Sequence, residues 1–330
     1  MTTSSVRALE RLATWPRTPL VHAPTPLRRL TRLSAELGGP PIYAKMDAET
    51  GFALGGNKVR KLEFQLSPDR IDGVTDLITA GGPQSNHCRV TAAFAAHAGL
   101  RCVLVVNAPA PDTPTGNALL HRLFGAEIVV VPERDDRVPS MDLVARRIEA
   151  EGGHPMVVPI GASTGIGSLG YVAAAVELAE QIDSIDDGFD RSVVLVSASS
   201  CGTIAGLQAG FSLLQRDDVR LLGVSADAPT SELADTTRRL AAEAATLLGG
   251  SEPHRCRVDF DDRQVGAGYG LTTTASLAAT DLFGRLEGIV LDPTYTSKAA
   301  AGLIEQIRQG VPAGERVVFV HTGGAPGLLA

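Results

Sequence analysis

Short apolar runs, mostly β-branched, alternate along the chain with longer stretches rich in Ala and Leu. Because a short continuous apolar run suits a strand buried on both faces, each run predicts a buried strand. The predicted strands are 42–46, 76–79, 102–106, 127–131, 156–160, 193–197, 220–225, 288–291 and 316–320. The predicted helices are 89–97, 117–124, 143–150, 171–181, 203–214, 230–248, 272–285 and 298–308. This repeated order predicts an α/β protein with mainly parallel sheets.

The length of the chain indicates more than one packed unit. At 330 residues it exceeds a usual single domain, so we expect two units that share a cleft. We predict a small substrate-side unit at residues 47–163 and a large cofactor-binding unit formed by residues 1–46 and 164–330. No linker rich in Pro or Ser separates them.

Charge and cysteine spacing narrow the class of function. A net charge of -7 without basic runs argues against nucleic acid or an anionic membrane as partner, so we expect a small-molecule ligand. The first residues lack the apolar run of a signal peptide and no stretch suits a membrane span, which favours a cytoplasmic protein. The cysteines form no Cys-x-x-Cys pair, so we expect reduced thiols and no metal site.

A lysine directly follows two glycines at the predicted start of a helix, in the segment Gly55-Gly56-Asn57-Lys58. Helix starts are often glycine-rich and most lysines are solvated, so Lys58 alone is weak evidence for a catalytic amine. Three polar loops strengthen it, because open α/β sheets bind ligands at the carboxyl ends of their strands. These loops are 81–87, 197–203 and 321–324.

The loop 197–203 has the composition of a phosphate site. Small side chains, hydroxyls and free backbone N–H groups lead into a predicted helix, whose start attracts anions. A simple N-cap is the alternative. A cap needs one hydroxyl, whereas this loop has Ser199, Ser200 and Thr203 around Gly202.

The loop 81–87 is a candidate carboxylate site. Ser85 is placed to cap the next helix, while Asn86 and His87 are expected to face the cleft. The glycines at the end of the preceding strand permit close approach of a ligand. An ordinary histidine at a helix start is the alternative for His87.

An amine, a phosphate site and a carboxylate site together fit pyridoxal phosphate, an anionic aldehyde that accepts amino acids. Tyr269 and Tyr295 lie in turn-forming surroundings, where a phenol can move protons or orient a substrate. Thr322 follows the last strand and is a candidate partner for the pyridine nitrogen. Satisfying local backbone groups is its alternative role.

The segment Gly165-Ile166-Gly167-Ser168-Leu169-Gly170 matches the glycine pattern of dinucleotide sites and keeps an NAD-dependent oxidoreductase as an alternative. The next strand does not end in the acidic residue that would hold an adenosine ribose, since Asp186 and Asp187 precede it. We therefore favour a glycine-rich crossing that caps a helix. A catalytically silent binding protein is a third possibility.

A series of specific motifs follows in order along the chain, at 55–64, 81–87, 116–120, 124–127, 169–171, 268–270, 292–295 and 321–324. Together they resemble the family of 1-aminocyclopropane-1-carboxylate deaminases and D-cysteine desulfhydrases, from about Pro24 to the C-terminus. The resemblance implies the tryptophan synthase β fold of pyridoxal phosphate enzymes, fold type II, with two open, mainly parallel sheets and helices on both faces. It also implies a homodimer.

By matching motif, the resemblance implies that Lys58 is the Schiff-base lysine and that Asn86 lies beside the cofactor ring. Substrate contacts are implied for Ser85, His87, Tyr269 and Tyr295, with Asn86 also in reach. Phosphate contacts are implied for the segment Ser200, Cys201, Gly202 and Thr203, which Ser199 precedes.

Two positions separate branches of this family. The ring-opening deaminases resemble one another in having Glu after the second tyrosine and Leu before the final Gly-Gly. This chain has Thr296 and Thr322 there, as the desulfhydrase branch does. The expected reaction is therefore β-elimination from a small β-substituted amino acid, best D-cysteine, to pyruvate, ammonia and sulfide. Elimination of sulfite from L-cysteate and 1-aminocyclopropane-1-carboxylate deamination are the alternatives on the same cofactor.

Overall fold

Two sheets form the framework of the protein in a computed structural model that describes residues 3–108, 113–250, 253, 255–310 and 314–330. The strands are β1 (Leu27–Arg29), β2 (Ile42–Lys45), β3 (Asp76–Gly81), β4 (Arg101–Val106), β5 (Glu127–Val130), β6 (Pro155–Val157), β7 (Arg191–Ala198), β8 (Val219–Ser225), β9 (Arg257–Asp261) and β10 (Glu315–Val320). Their orders are β1-β2-β10-β7-β8-β9 in a six-stranded sheet and β5-β4-β3-β6 in a four-stranded sheet. Only the β1–β2 pair of these sheets is antiparallel.

Helices cover both faces of the six-stranded sheet. The described helices are α1 (Thr3–Thr14), α2 (Thr31–Leu37), α3 (Asn57–Gln65), α4 (Pro68–Ile71), α5 (Asn86–Ala98), α6 (Gly116–Leu123), α7 (Arg137–Ala150), α8 (Gly165–Asp183), α9 (Gly202–Leu213), α10 (Thr230–Leu247), α11 (Thr274–Glu287) and α12 (Thr296–Arg308). Along β7, Val194 and Val196 pack into one core, whereas Val193 and Leu195 pack into the other. A stretch buried on both faces is apolar throughout, as residues 193–196 of β7 are. Parallel strands with helices on both faces confirm the α/β prediction.

Helix α3 lies between the two sheets. The four-stranded sheet falls within residues 76–157, and the six-stranded sheet is built from residues outside 47–163. Phe64 of α3 packs into a core of the six-stranded sheet, while Val59 and Leu62 pack into a core of the four-stranded sheet. The division at residues 47 and 163 stays a prediction, since α3 belongs to both cores.

One predicted strand is wrong. Residues 288–291 form an irregular connection whose backbone pairs with none of the described strands. Gly288 ends α11 with φ 64°, and Ile289 and Leu291 are buried in the core. These residues are apolar because they pack beneath helices. The edge strands β1 and β9 escaped prediction because their exposed faces interrupt the apolar run.

The glycine pattern at the start of α8 serves helix packing. A Cβ atom on Gly167 would collide with the carbonyl oxygen of Ala162, and one on Gly170 would collide with that of Arg60 in α3. A carboxylate oxygen of Glu243 accepts from the first backbone N–H of α8 at 3.1 Å, where a pyrophosphate would have to bind. This arrangement favours the helix-capping interpretation over a dinucleotide site. None of the described helices is long and apolar enough to span a bilayer.

Candidate active site

The predicted site residues meet in one cleft at the carboxyl ends of the two sheets, where open α/β sheets bind ligands. The sequence-predicted residues that line it are Lys58, Ser85, Asn86, His87, Ser199, Ser200, Cys201, Thr203, Tyr269, Tyr295 and Thr322. Gly202, which begins α9 between Cys201 and Thr203, is not among the lining residues. Asn57, Arg134 and Arg137, which the sequence analysis did not select, also line the cleft.

The two glycines before Lys58 bring the start of α3 against the end of β10. Gly55 and Gly56 have φ values of 67° and 109°, which other residues rarely adopt. A Cβ atom on Gly56 would lie 3.1 Å from the carbonyl oxygen of Thr322, and the Asn57 N–H donates to that oxygen at 3.0 Å. Lys58 is thereby held at the cleft beside Thr322.

The Lys58 amine is suited to act as a nucleophile. Its Nζ donates to Asn57 Oδ1 at 3.1 Å. Burial is the main cause that lowers the pKa of Lys58 to about 8; Arg89 adds to the shift and Asp292 opposes it. About a tenth of the amine is therefore unprotonated at pH 7 and about half at pH 8, and only that form can attack a carbonyl.

The segment 199–203 presents unpaired N–H groups to the cleft. Cys201 precedes α9 with φ 61° and makes no side-chain cap. The backbone N–H groups of Thr203 and Ile204 have no acceptor among the described residues. Asn57 Nδ2 donates to Thr203 Oγ1 at 3.0 Å, which ties this loop to α3. Free N–H groups at the positive end of a helix suit an anion.

Lys61 completes this anion site, although the sequence analysis did not select it. Its Nζ donates to Ser163 Oγ at 2.7 Å, and that hydroxyl donates to Ser200 Oγ at 2.8 Å. A Cβ atom on Gly202 would lie 2.7 Å from the Lys61 Nζ. Burial, together with Lys58, lowers the pKa of Lys61 well below its ordinary value. The spacing of three from Lys58, which puts both on one helix face, was the available signal.

The start of α5 forms a second anion site. Ser85 caps the helix, its Oγ accepting from the Cys88 N–H at 3.2 Å. The N–H groups of Asn86 and His87 have no acceptor in the described part of the chain. A Cβ atom on Gly81 would lie 2.5 Å from Ser85 Oγ, so only glycine lets the serine fold back over the strand end.

Asn86 is fixed by a buried arginine. Its Oδ1 accepts from Arg89 Nη1 at 3.0 Å and from Asn117 Nδ2 at 2.9 Å, which leaves its own Nδ2 for the cleft. The other end of the Arg89 guanidinium donates to the carbonyl oxygen of Gly55 at 2.6 Å. Arg89 therefore connects the start of α5 to the start of α3.

His87 is a neutral hydrogen-bond acceptor toward the cleft. Thr79 Oγ1 donates to the Val158 carbonyl at 2.7 Å, so it must accept from His87 Nε2, 2.8 Å away. The proton on Nε2 leaves His87 Nδ1 as an acceptor, and Nδ1 is buried without a partner among the described residues. Burial, then Lys58 and Lys61, lower the pKa of His87 well below its ordinary value. A carboxylate would therefore bind through Ser85 and Asn86.

Tyr269 and Tyr295 form a hydrogen-bonded pair. Their hydroxyls contact each other, and their rings meet edge to face with centroids 5.8 Å apart. Burial first, and then Tyr269, raise the pKa of Tyr295 well above its ordinary value. Partial burial raises the pKa of Tyr269, which is 40% exposed. Both phenols are protonated at neutral pH and can donate a proton.

Thr322 offers a free hydroxyl. Its side chain lines the cleft, and its Oγ1 makes no hydrogen bond to another described residue. The expected alternative, that this hydroxyl satisfies local backbone, is therefore not what the structure contains. The backbone oxygen of Thr322, rather than its side chain, binds α3.

Comparison with known proteins agrees with this geometry. Residues 19–323 match the model of the pyridoxal-phosphate dependent enzyme family. The chain belongs to this family. It is 40% identical over 330 residues to a D-cysteine desulfhydrase of Klebsiella pneumoniae subsp. pneumoniae, covering 98% of each chain. It is also 40% identical over 328 residues to one of Salmonella newport, again covering 98% of each chain.

Solved structures confirm the fold type II architecture. The crystal structure of an ACC deaminase homologue superposes with a TM-score of 0.88 and 34% identity, covering 100% of this chain and 97% of that one. The processed form of threonine deaminase isoform 2 from Solanum lycopersicum gives a TM-score of 0.70 at 16% identity, covering 98% of this chain and 90% of that one. At that identity the second likeness concerns the fold alone.

Pyridoxal phosphate is the cofactor of this family, and the cleft fits it. A dianionic phosphate would offset the cost of burying the Lys61 amine, which has no carboxylate partner among the described residues. The free N–H groups at the start of α9 supply further donors, and Thr322 supplies an uncharged hydroxyl. No group of three His, Cys, Asp or Glu side chains in the described ranges is placed to hold a metal ion.

Two residues missed by the sequence analysis hold the tyrosines of this enzyme in place. The Asp292 carboxylate accepts from the backbone N–H groups of Thr294, Tyr295 and Thr296 at 2.8 to 3.0 Å. Buried Lys298 donates to three backbone carbonyls, two of which, of Val265 and Gly268, lie in the loop before Tyr269. Each anchors its turn through backbone atoms, a role that sequence spacing does not reveal.

A buried ion network fixes the opposite face of α3. The Arg60 guanidinium binds Asp47 Oδ1 at 2.9 Å and Glu177 Oε2 at 3.0 Å, and Tyr171 donates to Asp47 at 2.6 Å. Lys45 binds Glu177 as well. Because Arg60 lies between Lys58 and Lys61 in sequence but on the other helix face, this network orients both lysines toward the cleft.

Proposed function

We propose that this enzyme eliminates the β-substituent of a small amino acid, with D-cysteine as the first candidate and pyruvate, ammonia and sulfide as products. The carrying observation is that an amine of lowered pKa, a phosphate-type helix start and a protonated tyrosine pair line one cleft. The D-cysteine desulfhydrases at 40% identity support the choice of substrate.

When bound, pyridoxal phosphate supplies an aldehyde that reacts with amines and a ring that withdraws electrons from the bonds at their α-carbon. Lys58 would provide the amine that holds the cofactor, and the same amine would take the α-proton of the substrate. Its lowered pKa keeps this amine largely unprotonated at slightly alkaline pH, which a general base requires.

The start of α5 holds the substrate carboxylate. Ser85 Oγ, Asn86 Nδ2 and the free N–H groups of Asn86 and His87 are donors gathered at a helix start. Neutral His87 contributes its backbone N–H, since its Nδ1 lacks a proton. Fixing the carboxylate orients the α-proton toward Lys58.

The tyrosine pair assists the leaving group. Both phenols carry their protons at neutral pH, so Tyr269 or Tyr295 can donate one as the bond to the β-substituent breaks. Thr296, the residue after the second tyrosine, is fully buried, and its hydroxyl binds Asp292 Oδ1 at 2.6 Å. The ring-opening deaminases have Glu at this position, whereas this chain has no carboxylate there. This difference supports elimination over ring-opening deamination.

Replacing Lys58 tests this proposal. We expect Lys58→Ala to lower keto-acid release from D-cysteine by at least about 100-fold, because it removes both the attachment point and the base. Borohydride reduction followed by peptide mass spectrometry should find the cofactor on the peptide containing Lys58 in the native enzyme and on no peptide of the variant. Lys58→Arg, which keeps the charge but not the reactive amine, is the matched control and should be equally inactive. Covalent cofactor or full turnover in Lys58→Ala would contradict the assignment.

We also propose that the enzyme is a cytoplasmic homodimer. The family resemblance supports the dimer. The four cysteines are buried and unpaired, as in a reducing compartment. Light scattering of the holoenzyme at a range of concentrations tests the dimer, and a monomer mass throughout would contradict it.

A further inference from the structure

Two arginines from the small-sheet side line the cleft beside the tyrosine pair. Arg134 is already engaged: its Nη2 binds Asp227 Oδ2 at 2.7 Å, and its guanidinium carbon lies 4.9 Å from the centre of the Tyr269 ring. Arg137 begins α7 and is only 9% exposed. Its Nε donates to the carbonyl oxygen of Arg134 at 2.8 Å.

The rest of the Arg137 guanidinium is unpartnered. Its Nη1 and Nη2 atoms make no hydrogen bond, and no carboxylate among the described residues forms an ion pair with it. Burial and the neighbouring Arg134 lower the pKa of Arg137, so the protein disfavours its charge. A buried cation without a partner is costly, which indicates that an anion from solution completes this part of the cleft.

The cofactor phosphate is not that anion. The phosphate site lies at the start of α9, where Lys61 and Ser163 adjoin Ser200. Arg137 is instead bonded to the backbone of Arg134, whose guanidinium lies against the Tyr269 ring. Arg137 therefore belongs to the tyrosine end of the cleft.

We propose that Arg137 binds an anionic β-substituent of the substrate, such as a sulfonate or a thiolate, beside the tyrosine pair. The inference rests on the proposed function and assigns the specificity of its leaving-group site. The substrate carboxylate already has donors at the start of α5, whereas the charge of Arg134 is neutralised by Asp227. Arg137 is thus the unpaired cation facing the end of the substrate that departs.

The reaction balances with this arrangement. Lys58 takes the α-proton, a carbon–carbon double bond forms, and the electrons of the bond between the β-carbon and sulfur leave with the substituent. A sulfonate leaves as sulfite, and a thiolate leaves as hydrosulfide after it takes one proton from Tyr269 or Tyr295. Negative charge therefore stays next to Arg137 or increases there as the bond breaks. The planar guanidinium can donate two parallel hydrogen bonds to a sulfonate, a geometry that lysine cannot supply.

Substrates that differ only in the charge of the β-substituent test the proposal. We would measure kcat and KM of the holoenzyme for both enantiomers of cysteate, cysteine and β-chloroalanine. Arg137→Gln should raise the KM for cysteate about tenfold to 100-fold, which is the range expected when a hydrogen bond to a charged group is lost. The KM for β-chloroalanine should change little. Arg137→Lys should restore part of the difference.

The control is Arg147→Gln, which removes an exposed arginine from the same helix and should leave all three substrates unchanged. Equal losses for all three substrates in Arg137→Gln would assign Arg137 to the shared carboxylate and overturn the proposal. No loss for any substrate would overturn it as well. Far-ultraviolet circular dichroism and cofactor absorbance identify a variant that fails to fold.

A binding measurement separates this proposal from the proposed function. Calorimetric titration of the holoenzyme with 3-sulfopropanoate, which lacks an amine and cannot react, should give tighter binding than propanoate. Arg137→Gln should abolish that preference, whereas Arg137→Lys should keep part of it. If the wild type keeps the preference but releases keto acid from none of the substrates, the elimination proposal fails and the Arg137 assignment stands. If the wild type releases keto acid but binds 3-sulfopropanoate no more tightly than propanoate, the Arg137 assignment alone is contradicted.

Discussion

Two helix starts face each other across the cleft, and both follow a parallel strand. At α5 the side chain of Ser85 caps the helix, and the nearby histidine is kept neutral by burial. At α9 no side chain caps the helix, Cys201 has a left-handed backbone, and the Lys61 amine adjoins the loop. Two otherwise similar anion sites therefore differ in charge and in how many donors remain free.

This difference assigns the two sites to different anions. The capped start of α5 has used one N–H internally, and its cation, Arg89, is already bonded to Asn86, Asn117 and Gly55. This arrangement suits a carboxylate of single charge. The uncapped start of α9 with Lys61 suits a phosphate of about two negative charges. Helix α3 carries Lys58 between the two anion sites, so this one helix sets the distance from the Lys58 amine to each site.

Removing the positive charge at α9 should have the largest effect. We expect Lys61→Met to weaken pyridoxal phosphate binding about tenfold to 100-fold, because a hydrogen bond to a charged group is lost. Binding of pyridoxal, which lacks the phosphate, should change little. Absorbance titration of the apoenzyme with both compounds measures this. An equal loss for both compounds would mean that Lys61 supports the fold rather than the phosphate.

The Lys58 amine, which lies between the two sites, should make the rate of cofactor uptake depend on pH. The pKa of Lys58 is lowered to about 8, so its reactive, unprotonated fraction falls about tenfold for each pH unit below that value. The initial rate of cofactor uptake by the apoenzyme should therefore rise with pH and level off above about 8. Stopped-flow absorbance at constant ionic strength checks this. A plateau that begins only near the ordinary lysine pKa would contradict the burial argument.

Removing the cap at α5 should have the smallest of the three effects. It should lower stability slightly and affect substrate binding but not cofactor binding. Ser85→Ala should lower the free energy of unfolding by about 1 kcal/mol and raise KM for the amino acid, because a cap and a carboxylate donor are lost together. Cofactor affinity should stay the same.

The matched control for this cap is Thr164→Ala, at the start of α8. Thr164 also caps its helix, its hydroxyl accepting from the Gly167 N–H at 2.9 Å. The control should lose similar stability in urea unfolding with no change in KM. If both variants raise KM equally, Ser85 acts only through stability.

The sequence predicted those parts of the fold that local patterns control. Continuous apolar runs identified the central strands, because burial on both faces leaves no other choice of residue. The same rule failed at 288–291, where Ile289 and Leu291 are apolar because they pack under helices. It missed β9, whose alternating Arg257–Asp261 pattern belongs to a sheet edge. The structure gathers the predicted residues of the glycine-rich motifs in one cleft, whereas Lys61 had only its spacing from Lys58 as a signal and Arg137 carries no local signature.

By itself, the sequence determined which side chains are available and the order in which strands and helices follow one another. It also placed Lys58 behind two glycines, the residue type that adopts the positive φ values found there with the least strain. Only the tertiary structure decided that the Lys61 amine is buried without a carboxylate, that His87 Nδ1 lacks a proton, and that Nη1 and Nη2 of Arg137 have no partner among the described residues. Those properties depend on burial and on partners that lie distant in sequence, and the free energy of a charge is set by its surroundings.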